Sequence, residues 1–205
     1  QAEVDACLPP FQPRFLRDPE RPQAFGALAG PEAYMEARHD LHQAMDEAQD
    51  VLAKADVEFR RRFGRGYGLV EAREAAGADL ALVTMATMAG TAAAALPALR
   101  ERGVRVGLVR VRVLRPFPAE ALREALRGAR RVLILDRNLS PGSGGVLHAE
   151  VAAALAGLPD PPLVLGTLAG LGGRDVRPEG IAEAAAWALA PERRAGERLW
   201  LGLKP

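Results

Sequence analysis

The 205-residue sequence predicts an α/β protein with three layers, α/β/α, built on a mostly parallel sheet and preceded by a proline-rich arm and one long helix. Three observations lead there. From Asp79 onward, short apolar runs alternate with helical stretches, the pattern of βαβ units. From Pro31 to about Phe63, apolar residues recur every three or four positions without a break. Gln1 to Gly30 contains Pro9, Pro10, Pro13, Pro19 and Pro22, too many for a helix or a central strand. The expected organisation is an extended arm over 1–30, the helix and a linker over 31–77, the α/β domain over 78–190, and a tail over 191–205.

The arm carries Phe11, Phe15 and Phe25 as apolar anchors, which places it along a protein surface rather than free in solvent. In the long helix, Pro31 suits a first helical position, and Tyr34, Ala37, Leu41, Met45, Ala48, Leu52, Ala55 and Phe59 form one stripe. Thirty-three residues at ~1.5 Å each reach roughly 50 Å, so such a helix spans two bodies or packs along a partner. Glu32, Glu36 and Asp40 near its start, and Arg60, Arg61, Arg62 and Arg65 at its end, match the helix dipole. His39 and His42 lie three apart beside Glu36 and Asp46. A metal site there needs ligands from another element, and none is identifiable, so the solvated face is the better reading. Gly64 to Gly77 reads as the linker.

Within the α/β domain, Leu80 to Met85 is a strand, Thr87 to Thr91 its loop, and Ala92 to Arg102 a helix ended by Gly103. Val104 to Leu114 is a second strand. A helix starting at Pro116 and Pro118 stops at Gly128. Leu163 to Leu165 begins a fourth strand, and the last helix runs from about Pro178 to Leu189. Between them, Arg130 to Leu155 changes from strand to turn to helix in one short run. Val132 to Leu135 is continuously apolar, as in a strand buried on both faces. Asp136, Arg137 and Asn138 follow at its carboxyl end, where open α/β sheets form ligand crevices.

Gly142, Ser143, Gly144 and Gly145 are the candidate site. Glycines at a helix N-terminus let backbone amides converge on an anion. The other reading is a tight turn, and it is the stronger one, because Leu147 stands where the dinucleotide fingerprint needs a third small residue. A phosphate-loop motif and a nucleophile elbow are also missing. Thr84, Thr87 and Thr91 around the first strand's end, and Thr167, Gly170, Gly172 and Gly173 around the fourth's, could line a crevice at a switch point, or be ordinary turns. No nucleophile–base pair accompanies them. Arg115, Arg174 and Asp175 are expected to form structural pairs, and His148 has no evident catalytic partner.

Composition narrows the class. A net charge of +1 argues against a nucleic-acid binder, and 49% hydrophobic residues suffice for a packed core. The single Cys7 excludes an internal disulfide and by itself holds neither an iron–sulfur cluster nor a cysteine zinc site. No run reaches the ~18 apolar residues of a membrane span, and QAEVDACLPP has no signal-peptide features. A cytoplasmic protein is expected. Its start at Gln1 suggests a piece of a longer chain.

Several stretches together resemble one family: FGALAGPEAYMEARHDLHQAMDEA (Phe25 to Ala48), ALVTMATMAGTA (Ala81 to Ala92), VGLVRVRVLRPFP (Val106 to Pro118), LDRNLSPGSGG (Leu135 to Gly145), LGTLAGLGGRDVRPE (Leu165 to Glu179) and the closing RLWLGLKP. They are similar to the C-terminal half of the α chain of pyruvate:ferredoxin oxidoreductase. Asp79 to Leu189 resembles the transketolase C-terminal domain, a three-layer module that holds subunits together. The resemblance implies a thiamine-diphosphate enzyme that oxidatively decarboxylates a 2-oxo acid, pyruvate first, to acyl-coenzyme A and passes electrons to ferredoxin.

In that family the cofactor's pyrimidine end belongs to the α chain's N-terminal domain, the diphosphate and magnesium to the β chain, and the iron–sulfur clusters to further subunits. The implied partners are therefore that N-terminal domain, the β, γ and δ subunits and ferredoxin. No catalytic residue and no cofactor ligand transfers to this chain, which lacks a GDG-type magnesium motif. The expectation is an assembly portion, inactive in isolation. The alternative is a stand-alone module binding a small anion or nucleotide at Gly142 to Gly145.

Overall fold

The computed structural model describes residues 2–8, 10–23, 26 and 28–204. Pro9 and the anchor Phe25 lie outside the described residues. The chain divides into two units, Gln1–Leu41 and His42–Pro205.

The first unit holds α1 (Ala2–Cys7), irregular chain, and the start of α2 (Pro31–Phe63). The short helix α1 corrects the reading of residues 1–30 as wholly extended. The proline argument begins at Pro9, and AEVDAC before it has helix-forming residues with Glu3 and Asp5 in the first turn. None of the described residues from Ala2 to Leu41 is buried.

α2 has the predicted length and starts with Pro31 at its first position, where the missing N–H costs nothing. Its last turn carries Arg60, Arg61 and Arg62, and the chain leaves it through Gly64 at φ +69°. Within the second unit, Met45, Ala48, Phe59 and Phe63 are half-buried. Gln49 Nε2 donates to the carbonyl of Phe117 at 3.3 Å, and Leu52, Ala55 and Phe59 line an apolar groove with Leu69 and Val113.

The described residues form a six-stranded sheet in the order β1-β3-β2-β4-β5-β6. Its strands are β1 (Val70–Arg73), β2 (Leu80–Met85), β3 (Val106–Val111), β4 (Arg131–Asp136), β5 (Leu163–Leu168) and β6 (Arg198–Trp200). All pairings are parallel except β1 with β3, where Val70 faces Val111 and Arg73 faces Leu108. The helices are α3 (Met88–Glu101), α4 (Ala119–Ala125), α5 (Val146–Leu155) and α6 (Pro178–Leu189).

Two cores explain the strand sequences. On one face, Leu80, Leu82, Leu133, Leu135 and Leu165 pack with Ala92, Leu96 and Leu99 of α3 and Ile181, Ala184 and Ala185 of α6. On the other, Ala81, Val83, Val109, Val132 and Ile134 pack with Leu122 of α4 and Leu147, Val151 and Leu155 of α5. Successive residues of β4 alternate between these cores, which is why its apolar run has no polar break.

The edges depart from the sequence reading. β1 lies inside the assumed linker and β6 inside the assumed tail. Both are short edge strands, and VEAR and RLW carry too little alternation to be read alone. α3 begins at Met88, so Thr91 belongs to a helix and not to the loop Thr87 to Thr91. The second strand ends at Val111 rather than Leu114, because Arg112 and Val113 turn their amides to Leu69 O. The following helix begins only at Ala119, since Pro118 at φ −84° and ψ 62° is not yet helical.

Candidate functional site at the carboxyl end of the sheet

β3 and β4 lie on opposite sides of β2, so the chain switches direction between β2 and β4 and the loops at their carboxyl ends diverge. A doubly wound sheet binds ligands in such a gap. Here the gap is crossed by the chain's own groups. Thr84 Oγ1 donates to Leu135 O at 2.9 Å, and Arg137 Nη1 reaches Thr87 Oγ1 at 3.4 Å.

The loop after β4 closes on itself. Ser140 N donates to Gly144 O at 2.7 Å, while Gly144 N and Ser143 N both donate to Ser140 O at 2.9 Å. The amides that open α5 turn inward. Val146 N donates to Asn138 Oδ1 at 2.9 Å, Leu147 N to Asp136 Oδ1 at 3.2 Å and His148 N to Asp136 Oδ2 at 2.9 Å. Ala149 N already bonds Gly145 O within the helix pattern. The end of β4 therefore supplies the negative charge and the acceptors that a helix N-terminus favours.

Two glycines make this possible for different reasons. Gly145 has an ordinary φ of −70°, but a Cβ there would lie 2.0 Å from Asp136 Oδ2, so the carboxylate takes the side chain's place. Gly144 sits at φ +115°, and a Cβ there would meet the Arg198 guanidinium at 2.7 Å.

Asp136 is 3% exposed. Burial pushes its carboxyl above the usual carboxylate range, opposed by the His148 and Leu147 amides that favour the anion. His148, 7% exposed on the same helix turn, is held below the usual imidazole range by burial and then by the Arg198 charge. Its Nε2 and the Thr167 hydroxyl are buried without a hydrogen-bond partner among the described residues. Around the neighbouring loops, Arg115 pairs with Glu150, Arg177 with Asp175 at 2.8 Å, and Arg174 donates to Gly202 O. Gly170, Gly172 and Gly173 form the left-handed turn after β5.

Thus the structure brings Gly144, Gly145, His148 and Asp136 together, while Thr84 and Thr87 are bonded across the switch point. The role of Asp136 was hidden in the sequence because its targets are backbone amides 11 and 12 residues away. Arg198 carried no signal, since its strand was not recognisable. On α2, His39 Nδ1 lies 3.7 Å from Asp40 and His42 Nε2 3.8 Å from Asp46. Among the described residues no three histidine, cysteine or carboxylate side chains converge as a metal site.

This geometry defines a doubly wound module whose ligand end is tied together by its own side chains. The profile described as "Pyruvate:ferredoxin oxidoreductase core domain II" matches residues 78–181, and the chain belongs to the pyruvate:ferredoxin oxidoreductase family. Pyruvate synthase subunit PorA of Methanothermobacter thermautotrophicus is 40% identical over 204 residues, covering 100% of this chain and 51% of that subunit. Ketoisovalerate oxidoreductase subunit VorA of Pyrococcus horikoshii is 40% identical over 177 residues, 85% of this chain and 45% of its own. Among solved structures, a 2-oxoglutarate:ferredoxin oxidoreductase from Magnetococcus marinus matches 67% of this chain and 24% of its own, with TM-score 0.45 and 17% identity. The chain spans about half the length of the curated relatives it matches.

The family implies thiamine diphosphate with magnesium, and the loop after β4 does not fit a diphosphate. The amides it would need are bonded to Asp136 and Asn138, and its charge would face the Asp136 carboxylate. No helix among the described residues is long and apolar enough to cross a membrane.

Proposed function

We propose that this chain is the assembly portion of a 2-oxo acid:ferredoxin oxidoreductase α subunit, contributing no catalytic residue of its own. The whole enzyme converts a 2-oxo acid, with pyruvate as first substrate, to acyl-coenzyme A and reduces ferredoxin. Thiamine diphosphate, magnesium, the clusters and coenzyme A are held by the pyrimidine-binding domain and by the β, γ and δ subunits, in the cytoplasm. The observation that carries this reading is 40% identity along the entire chain to half of a pyruvate synthase subunit.

Two further observations support it. The amides that could receive a phosphate are spent on Asp136 and Asn138, so Gly142 to Gly145 serve as a turn. The chain is also 40% identical to a pyruvate subunit and to a ketoisovalerate subunit over the matched lengths. Selection of the 2-oxo acid accordingly rests with the other portions. A stand-alone anion-binding module would not account for similarity running through the arm and the long helix as well.

The test is reconstitution. The pure chain should give no pyruvate-dependent viologen reduction, and the same chain combined with the remaining portions of the complex should give it. Reduction by the pure chain alone, or a reconstituted complex indifferent to its presence, would overturn the reading.

A further inference from the structure

The turns after β4 and β5 leave neighbouring strands at the same end of the sheet, yet they use their amides differently. After β4, the amides that open α5 are bonded to Asp136 and Asn138. After β5, Ala169 N donates to Asp136 O, while Gly173 N and Arg174 N turn back to Gly170 O and Leu171 O. Between them, the amides of Gly170, Leu171 and Gly172 have no acceptor among the described residues. Gly170 at φ +70° and Gly172 at φ +64° hold this segment in a left-handed turn, a backbone concavity of the kind that accepts an anion.

Two guanidinium groups stand at the same turn. A Cβ on Gly170 would come 2.9 Å from Arg137 Nε, so the Arg137 side chain crosses it, and Arg174 closes it. Arg137 reaches only Thr87 Oγ1, at 3.4 Å, and Arg174 only Gly202 O. Neither pairs with a carboxylate among the described residues, because the neighbouring acids are taken: Asp175 by Arg177, and Asp136 by the amides of α5. The spare donors of such a planar fork match the two oxygens of a carboxylate.

Beside them lies a cavity of about 170 Å³, over β5 and β6 and away from the switch point between β2 and β4. Gly170 and Arg174 form its polar side, and Leu168, Leu171, Trp200, Leu201 and Leu203 its walls. Trp200 is 44% and Leu203 67% exposed, so the apolar walls stand open to solvent. At ~30 Å³ per water-sized group the cavity takes about six heavy atoms, too few for a nucleotide. A bare phosphate would bring charge against the apolar walls and leave them unfilled. We propose that this cavity binds a small aliphatic carboxylate: Arg137, Arg174 and the amides of Gly170 to Gly172 donate to the carboxylate, and Leu171, Trp200 and Leu203 enclose a branched chain of about four carbons.

The test uses the full 205-residue chain with isovalerate as probe, read by titration calorimetry and by tryptophan fluorescence. Saturable binding with a Kd of about 1 mM or tighter is expected, with a fluorescence change that Trp200→Phe removes. Acetate lacks the branched chain and isopentanol lacks the charge, so each should bind at least tenfold more weakly. Phosphate and diphosphate should give no saturable heat. Arg174→Gln and Leu203→Asp should each weaken isovalerate at least tenfold and Arg137→Gln at least threefold, whereas Arg127→Gln, at the opposite end of the sheet, should bind like the parent. Circular dichroism and melting confirm that each variant folds, and Leu203→Asp decides if Arg174→Gln does not.

Absent binding of isovalerate to the parent, or parental binding by a folded Arg174→Gln or Leu203→Asp, would overturn the inference. Isopentanol binding as tightly as the acid would overturn it by removing the arginines from the site. Phosphate displacing isovalerate at equal concentration would do the same, by making the turn an unselective anion site. The assembly reading is tested on the reconstituted complex and is independent of each of these outcomes.

Discussion

The loop after β4 and the N-terminal half of α2 invert what their compositions suggest. The first has glycines, a serine, a carboxylate, an amide side chain and a histidine at a helix N-terminus, the inventory of a binding site. The amides of Val146, Leu147 and His148 are nevertheless bonded to Asn138 and Asp136 of the same chain, and His148 Nε2 is left buried without a partner among the described residues. The second is an ordinary amphipathic helix with no chemistry-bearing motif, yet its apolar side chains face solvent. Polar groups indicate a ligand only after their internal partners have been counted, and an apolar face indicates a partner only after its internal cover has been counted.

The largest effect that sharpens this contrast is expected at Gly145. Gly145→Val forces a side chain into the space of the Asp136 carboxylate and should cost about 3 kcal/mol in denaturant unfolding. A cost near zero would mean that the carboxylate has room to leave the helix end.

Next is Asp136→Ala, which strands the amides of Leu147 and His148 and should cost roughly 1–3 kcal/mol. It also opens the helix N-terminus, so diphosphate should raise the melting temperature of the variant and leave the parent unmoved. An upward shift in the parent would show that the loop has free capacity for an anion.

Gly144→Val is expected to lose about 1–2 kcal/mol through its positive φ and the contact with Arg198. Melting with and without diphosphate or coenzyme A should show a lower temperature and no ligand-dependent shift in either form.

A smaller effect comes from pH. The folded His148 is depressed below its ordinary value near 6.5, so below that pH the unfolded chain binds more protons. Stability is therefore complete above about pH 6.5 and falls as pH drops toward the folded value. Asp136 works oppositely at lower pH: raised in the fold above 3.8, it takes up its proton first in the folded state and favours folding as pH falls through that window. Melting between pH 7 and 5 should lose its slope in His148→Gln, and a retained slope would place the titration elsewhere.

The smallest expected effect is on the other side of the contrast. Leu41→Glu should change the stability of the isolated chain by no more than about 0.5 kcal/mol, because that side chain is 51% exposed. A large loss in chemical denaturation would show that Leu41 is part of this chain's core.

What the sequence determined by itself was whatever periodicity and local backbone rules encode. The apolar runs of β2 and β4, the thirty-three residues of α2, and α6 from Pro178 to Leu189 were legible because burial on one or both faces writes itself into consecutive side chains. The family was legible in stretches spread along the whole chain. Tertiary structure decided the rest. β1 and β6 exist because β3 and β5 offer open backbone edges, and an edge recruits a strand through its amides and carbonyls whatever side chains that strand has. The partners of the amides that open α5 were decided in the same way: Val146, Leu147 and His148 donate to Asn138 and Asp136 because of where those side chains point. That direction is set by the strand's register against its neighbours, a relation between distant segments that no local pattern of residues contains.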